Sequence, residues 1–129
     1  MKAPMVRPLI RRHVVSAALA LAAATAAGPA LAHAFLETAS PKAGAQLAAP
    51  PKDVRITFSE AVEPAFSKIT VQGPPGFGGA APARATGAPR TLEAPLRGPF
   101  PAGGYVVRWR AVSRDSHVTQ GTFRFELKP

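Results

Sequence analysis

The sequence predicts an all-β domain built as a two-sheet sandwich, and three features of residues 33–129 support this. Short runs alternate apolar and polar residues with the period of half-buried strands. Turn signals rich in glycine and proline separate these runs, and no segment keeps a helical period. Six or seven short strands, each with one apolar and one polar face, favour two sheets packed face to face.

The strand pattern is clearest in the run 105–113. Its odd-numbered residues from Tyr105 to Ala111 are apolar, so Tyr105 and Trp109 are expected to pack between the sheets. The Gly- and Pro-rich segment 73–89 is expected to form an irregular loop. The predicted strands are 34–38, 53–59, 66–72, 91–96, 105–113 and 122–128.

The first 32 residues have the composition of a secretory signal peptide. A basic start with four Lys or Arg residues precedes the uncharged, Ala-rich run 14–27, and Ala30-Leu31-Ala32 resembles a cleavage site. A membrane anchor is the alternative, but spanning a bilayer needs about 20 apolar residues and this run is shorter. Arg11-Arg12 also hints weakly at twin-arginine export. Cleavage after Ala32 would leave the domain 33–129 outside the cytoplasm.

The composition of residues 33–129 limits the partners and metal ligands that are expected for the domain. The whole chain carries a formal charge of +9, but residues 33–129 hold twelve basic and seven acidic residues. The basic residues are scattered singly along the strands, without the clustered patch and stacking aromatics of a nucleic-acid site, so no nucleic-acid partner is expected. Cysteine is absent, and both methionines (Met1 and Met5) precede Ala32, so the domain has no sulfur ligand for a metal.

Two histidines remain after residue 32, His33 and His117. An N-terminal histidine can bind one metal through its free amine and its ring Nδ1, closing a six-membered chelate. Asp115 lies two residues before His117, so on extended backbone both side chains would leave the same face. Amine, imidazole and carboxylate donors suit Cu(II), whereas Cu(I) favours thiolate or thioether sulfur.

Each of these residues also has a plainer explanation. His33 could stand first by chance after cleavage. His117 could be a surface turn residue, and Asp115 could cap or form a turn. Residue spacing alone leaves the metal site and these explanations open.

A resemblance to a known family adds evidence that residue spacing alone does not supply. The chain resembles the CopC family of periplasmic copper-binding proteins over essentially all of residues 33–129, most clearly at the two ends. The motifs that carry the resemblance are His33-Ala34-Phe35-Leu36, Ser40-Pro41-x-x-Gly44, Phe58-Ser59-Glu60, Tyr105-x-Val107-x-Trp109-Arg110-x-Val112-Ser113-x-Asp115-x-His117 and Gly121-x-Phe123-x-Phe125.

The resemblance implies a Greek-key β-sandwich, Ig-like or cupredoxin-like, of about seven strands. It implies one Cu(II) per chain, bound by the N-terminal amine and side chain of His33 with Asp115 and His117. Glu60 matches a family carboxylate near the site, with a weak axial or orienting role, although a solvent-facing strand end explains it equally well. The expected function is a copper carrier or buffer in the periplasm, not an enzyme and not an integral membrane protein once processed. An inner-membrane copper transporter of the CopD type is an implied partner.

Segment 73–89 contains no methionine, whereas some members of the family carry a methionine-rich loop for Cu(I). No Cu(I) site is therefore expected. Two other functions stay open at this point. One is a small copper monooxygenase, which also uses an N-terminal histidine, although Asp115 would then occupy a position that oxygen needs. The other is a metal-free sandwich used for adhesion or assembly.

Overall fold

The computed structural model describes residues 33–129, with Lys2 and Pro4 as isolated further positions. The predicted signal peptide, residues 1–32, thus lies outside the described residues except for those two. No helix within the described residues is long and apolar enough to span a membrane. The strands are β1 Leu36–Ser40, β2 Gln46–Leu47, β3 Asp53–Phe58, β4 Lys68–Gln72, β5 Arg84–Ala85, β6 Thr91–Pro95, β7 Gly103–Val112 and β8 Val118–Leu127.

The strands form two four-stranded sheets, which confirms the predicted β-sandwich. Sheet A has the order β1-β3-β6-β5, and sheet B has the order β2-β8-β7-β4. All pairings are antiparallel except β2 with β8. From β1 to β5 the chain changes sheet at every connection, and only β5–β6 and β7–β8 are sequential neighbours. These crossing connections are typical of Greek-key sandwiches.

The core lies between the inward faces of the two sheets. β3 contributes Val54, Ile56 and Phe58, which are fully buried because alternate residues of a strand point to the same side. Tyr105 stacks on Phe125 with ring centroids 5.1 Å apart. The Tyr105 hydroxyl donates a 2.7 Å hydrogen bond to the Pro101 carbonyl. This hydrogen bond satisfies the hydroxyl group of the buried ring. Burial also raises the pKa of Tyr105.

Trp109 differs from the predicted pattern because it is only partly buried. Its indole meets Phe58 edge to face, with ring centroids 5.3 Å apart. It also lies over Gly121 of β8, the residue paired with it in the ladder. Trp109 therefore closes one end of the core instead of sitting at its centre.

Strand boundaries shift, and two strands are additional to the prediction. β1 is Leu36–Ser40 instead of 34–38, and β8 starts at Val118 instead of residue 122. The two-residue strands β2 and β5 were not predicted. β5 lies within 73–89, so the segment expected to be an irregular loop also contains a two-residue strand.

Segment 73–89 contains a strand because it is attached to the sandwich at several points. Phe77 packs edge to face on Tyr105 at 5.1 Å. The Ala81 amide donates to the Pro95 carbonyl at 2.7 Å, and the Arg97 amide donates to the Gly79 carbonyl at 2.9 Å.

Candidate metal centre

The turn between β7 and β8 holds two of the predicted site residues. The hairpin ladder ends at the pair Val112–Val118, which leaves residues 113–117 as the connection. The Ser113 amide donates to the His117 carbonyl at 2.9 Å, and the Ser116 amide donates to the Ser113 carbonyl at 2.9 Å. Ser116 has φ 70°, the left-handed conformation that lets so short a connection reverse the chain.

The turn differs from the extended backbone predicted for Asp115 and His117. The two residues do not lie on an extended strand, so strand alternation does not bring them together. Asp115 lies in the reverse turn and His117 at its exit, and the turn folds their side chains toward each other. The predicted proximity is present but has a different cause.

A network of hydrogen bonds holds the Asp115 carboxylate. Its Oδ2 lies 2.7 Å from Nδ1 of His117, and its Oδ1 accepts a hydrogen bond from the Ser113 hydroxyl. The bond from Ser113, followed by that from His117, lowers the pKa of Asp115 to about 2. The carboxylate therefore stays ionised at neutral pH. Because Asp115 occupies Nδ1 of His117, Nε2 is the ring nitrogen left for a metal.

The segment that follows residue 32 is held in place by two hydroxyl groups. The Ser59 hydroxyl donates to the His33 carbonyl at 3.0 Å and accepts from the Phe35 amide at 2.8 Å. The Thr119 hydroxyl, on β8, donates to the carbonyl of Ala34, whose side chain is buried in the core. The backbone is thus fixed as far as His33.

These anchors bring the two histidines into contact. The rings of His33 and His117 are stacked, with centroids 4.5 Å apart and an interplanar angle of 19°. Phe35 lies alongside the His33 ring at 5.9 Å. The structure therefore brings together all three residues expected to bind metal most directly, His33, Asp115 and His117.

The arrangement is not yet that of a metal complex. Within residues 33–129, no three His, Cys, Asp or Glu side chains are already positioned to hold one ion. Stacked rings present faces to each other, whereas a metal is bound in the plane of each ring at a nitrogen. For one ion to be bound by both rings, the half-buried His33 ring would have to turn.

Glu60 takes no part in this network. It is exposed, and its carboxylate forms no hydrogen bond or ion pair with another described residue. It directly follows Ser59, which anchors the His33 carbonyl.

The hydroxyls of Ser59, Ser113 and Thr119 are the functional groups that sequence reasoning missed. Ser59 and Ser113 lie within the motifs that resemble the CopC family, so those motifs were the sequence feature that could have identified the two serines.

The fold and this site together define a class of small β-sandwich domains with a histidine pair at one end of the sandwich. A match to the CopC domain model over residues 36–128 identifies the family. The chain belongs to the CopC family of copper resistance proteins, and the predicted resemblance is confirmed. This is a family of copper-binding resistance proteins and not of enzymes, which confirms the expectation that the chain is not an enzyme.

The relatives agree with this assignment. "Copper resistance protein C" of Escherichia coli is 38% identical over 107 residues, which covers 77% of this chain and 84% of the relative. The crystal structure of CopC from Methylosinus trichosporium OB3b aligns with a TM-score of 0.67 and 35% identity, over 75% of this chain and 95% of that one. PcoC, described as a methionine-rich copper resistance protein from Escherichia coli, aligns with a TM-score of 0.63 and 34% identity, over 75% of this chain and all of that one. The solved chains of these two relatives therefore contain little more than the matched domain.

Proposed function

We propose that this protein is a periplasmic carrier or buffer of copper that binds one Cu(II) ion per chain. The observation that carries the proposal is the contact between His33 and His117, the only histidines after residue 32. Their rings lie 4.5 Å apart although they come from opposite ends of the domain. Two imidazoles held together at the surface, beside an ionised carboxylate, form a donor set that suits a divalent metal of the Cu(II) type.

The proposed ligands are the free amine and ring Nδ1 of His33, Nε2 of His117 and a carboxylate oxygen of Asp115. The amine becomes available once the bond after Ala32 is cut, so the site depends on removal of residues 1–32. Without metal, Asp115 is bonded to His117. It therefore has two possible contributions, which are to orient the His117 ring and to add an oxygen to the ion. Glu60 is kept as a weak axial or orienting group.

The donor set supports selectivity for Cu(II) over Cu(I). Cu(I) favours thiolate and thioether ligands, and residues 33–129 contain neither cysteine nor methionine. In this respect the chain differs from PcoC, which is described as methionine-rich. We therefore propose no Cu(I) site on this domain and no exchange of copper between two sites of one molecule.

The remaining parts of the proposal concern the cell. A basic start, an apolar middle and a small-residue cleavage site support export of the chain and cleavage after Ala32. A carrier needs a donor or acceptor of copper, and an inner-membrane transporter of the CopD type is the proposed partner. No enzymatic step is part of the proposal.

The test is a Cu(II) titration of a chain that begins at His33, followed by electron paramagnetic resonance. A matched chain with one extra glycine before His33 keeps every side chain but moves the free amine away from the imidazole. We expect tight one-to-one binding and a tetragonal, nitrogen-rich spectrum, with both altered by the glycine.

Two controls complete the experiment. His117→Ala should lower the affinity and remove a nitrogen from the spectrum. Equal binding by the chains with and without glycine would exclude the amine as anchor. Binding no tighter than that of an unstructured peptide would reject the copper function and favour a metal-free interaction module.

A further inference from the structure

The outward face of sheet B gathers basic residues that are far apart in the sequence. Lys68 of β4 pairs with Arg110 of β7, and Arg108 lies two residues before Arg110, on the same side of its strand. Arg124 of β8 pairs with Val106, which shares that side. All four side chains are exposed. We call Lys68, Arg108, Arg110 and Arg124 the basic face. These residues are scattered singly in the sequence, but pairing of the strands places them on one side of sheet B.

The charge of the basic face is not neutralised. None of its four cations forms an ion pair with another described residue, and Glu126, on the same side of the sheet, pairs with Lys128 at 3.3 Å. The outward face of sheet A is different, since Glu93 there binds both Arg55 at 2.8 Å and Arg84 at 2.9 Å. The two faces of the sandwich therefore differ sharply in charge.

Neutral acceptors hold two of the guanidinium groups in place. Arg108 donates to the Gln72 side-chain oxygen at 3.3 Å, and Arg110 donates to the Phe66 carbonyl at 3.1 Å. These bonds restrict the side chains without removing their charge. The Phe66 side chain is 66% exposed beside Arg110, and Val118, on the same side of the sheet as Val112, is 48% exposed. The basic face is thus bordered by two exposed apolar side chains.

We propose that the basic face docks on an anionic phospholipid surface. Guanidinium groups bind phosphate oxygens through paired hydrogen bonds, and the four cations lie on the same face of one sheet. Each Lys or Arg near an anionic leaflet adds a modest attraction, and exposed apolar groups at the edge enter the headgroup region. The resulting contact is weak, reversible and sensitive to salt.

This docking would place the histidine pair close to the lipid surface. Arg110 lies three residues before Ser113, so the basic face ends where the turn 113–117 begins. A domain resting on sheet B would keep that turn at the edge of the contact, exposed to the solvent next to the membrane. The proposal does not depend on copper, because it rests on the charges of sheet B alone.

The test uses the metal-free chain 33–129, so that the basic and apolar residues before it do not contribute. Co-sedimentation is measured with vesicles of equal parts phosphatidylglycerol and phosphatidylcholine, and with vesicles of phosphatidylcholine alone. Arg108→Gln with Arg110→Gln is compared with Lys42→Gln with Lys52→Gln, which removes the same charge from exposed sites outside sheet B. Circular dichroism and thermal unfolding verify that each variant folds.

We expect binding to the anionic vesicles only, weakened about 30-fold by the arginine pair and little by the lysine pair. High salt should release the wild-type domain. Equal weakening by both pairs would overturn the proposal, because net charge and not this face would then be responsible. Absence of binding to anionic vesicles, with binding to polyglutamate retained, would also overturn it and indicate an acidic protein partner.

Discussion

Hydrogen bonds from individual hydroxyl groups position the two histidines. Ser59 and Thr119 hold the carbonyls of His33 and Ala34, and Ser113 holds the carboxylate of Asp115. Because a hydroxyl can both donate and accept, one serine can connect a backbone group to a functional side chain. The site is therefore positioned by groups that are not themselves proposed to bind metal.

Ser113→Ala tests this positioning. Since the Ser113 hydroxyl is the largest cause of the low pKa of Asp115, its loss should move that pKa up from about 2 toward the ordinary value of 3.8. With the carboxylate less fixed, Cu(II) affinity should fall about 10-fold, as is typical for groups behind a metal ligand. Carboxyl NMR titration of the metal-free protein and a copper competition assay measure the two effects.

Ser116→Ala is the matched control in the same turn, because the Ser116 side chain makes no hydrogen bond with another described residue. It should leave both quantities nearly unchanged. A pKa for Asp115 that stays near 2 in Ser113→Ala would assign the shift to His117 instead.

At the residue level, the sequence indicated which side chains come together, but not the hydroxyl groups that position them. His33, Asp115 and His117 are rare residue types at distinctive positions, and the family motifs include them. Serine and threonine are common, so nothing in their spacing distinguishes Ser113 from an exposed serine such as Ser116. The stacking of His33 on His117 depends on folding both ends of the chain together, which no local pattern encodes.

At the level of elements, the β7–β8 hairpin connects the core to the site. Ten-residue strands pair from Gly103–Leu127 to Val112–Val118, directly before the turn. Trp109 lies across this pairing, over Gly121. The missing side chain of Gly121 is what leaves room for the indole ring.

Gly121→Ala should therefore destabilise the domain. The added Cβ would lie 2.6 Å from a Trp109 ring carbon, so the indole would have to shift, at a cost of about 1–3 kcal/mol. Urea unfolding gives the free energy, and the tryptophan emission spectrum reports the displaced ring.

Gly104→Ala is the matched control in the same hairpin. Its Cβ would meet the flexible end of Arg124 at 3.4 Å, so the change in unfolding free energy should stay within about 0.5 kcal/mol. Similar losses in both variants would point to strand glycines in general and not to the indole contact.

The charged face of sheet A gives a prediction about pH. Hydrogen bonds from Arg84 and then Arg55 lower the pKa of Glu93 below its ordinary value of 4.5. A lowered folded-state pKa means that the stabilisation is present above pH 4.5 and is lost as pH falls through the folded-state pKa. Glu93→Gln should be less stable than wild type at pH 7, and the difference should shrink in acid.

Urea midpoints measured from pH 7 to pH 2.5 for wild type and Glu93→Gln provide the comparison. Glu60→Gln is the charge-matched control, since its carboxylate forms no ion pair with another described residue. A stability difference between wild type and Glu93→Gln that is constant with pH would exclude the ionised form of Glu93 as its cause.

The long strands were predictable and the short ones were not. β3 and β7 alternate apolar and polar residues over most of their length, and this pattern records burial on one face. β2 and β5 are only two residues long, so they contain too few residues to show a period. They are strands because β8 and β6 offer them hydrogen bonds, which is a property of the assembled sheets.

At the level of the whole molecule, a domain of 97 residues without a disulfide has a modest core, so a bound ion should matter to its stability. Copper that binds only the folded state at 100 times its Kd would add about 2.7 kcal/mol. For a domain of this size the midpoint of thermal unfolding should rise by roughly 10–20 °C.

Scanning calorimetry of the chain from His33 with Cu(II), and again after chelation, measures this shift. His117→Ala should lose most of the increase while retaining the metal-free midpoint within a few degrees. An equal increase in His117→Ala would mean that copper stabilises the fold through other groups.

The anchoring of His33 also has a consequence for the order in which the protein assembles. Asp115 and His117 are two residues apart in a hairpin turn, and such local structure forms within microseconds. The contact from Thr119 to Ala34 spans 85 residues, so closing it is entropically costly and follows the packing of both sheets. When the complete domain folds, the half of the proposed site in the hairpin turn should therefore form early, and the contact with His33 should form last. Full metal affinity would then report completed folding, and incompletely folded chains would compete poorly for the ion.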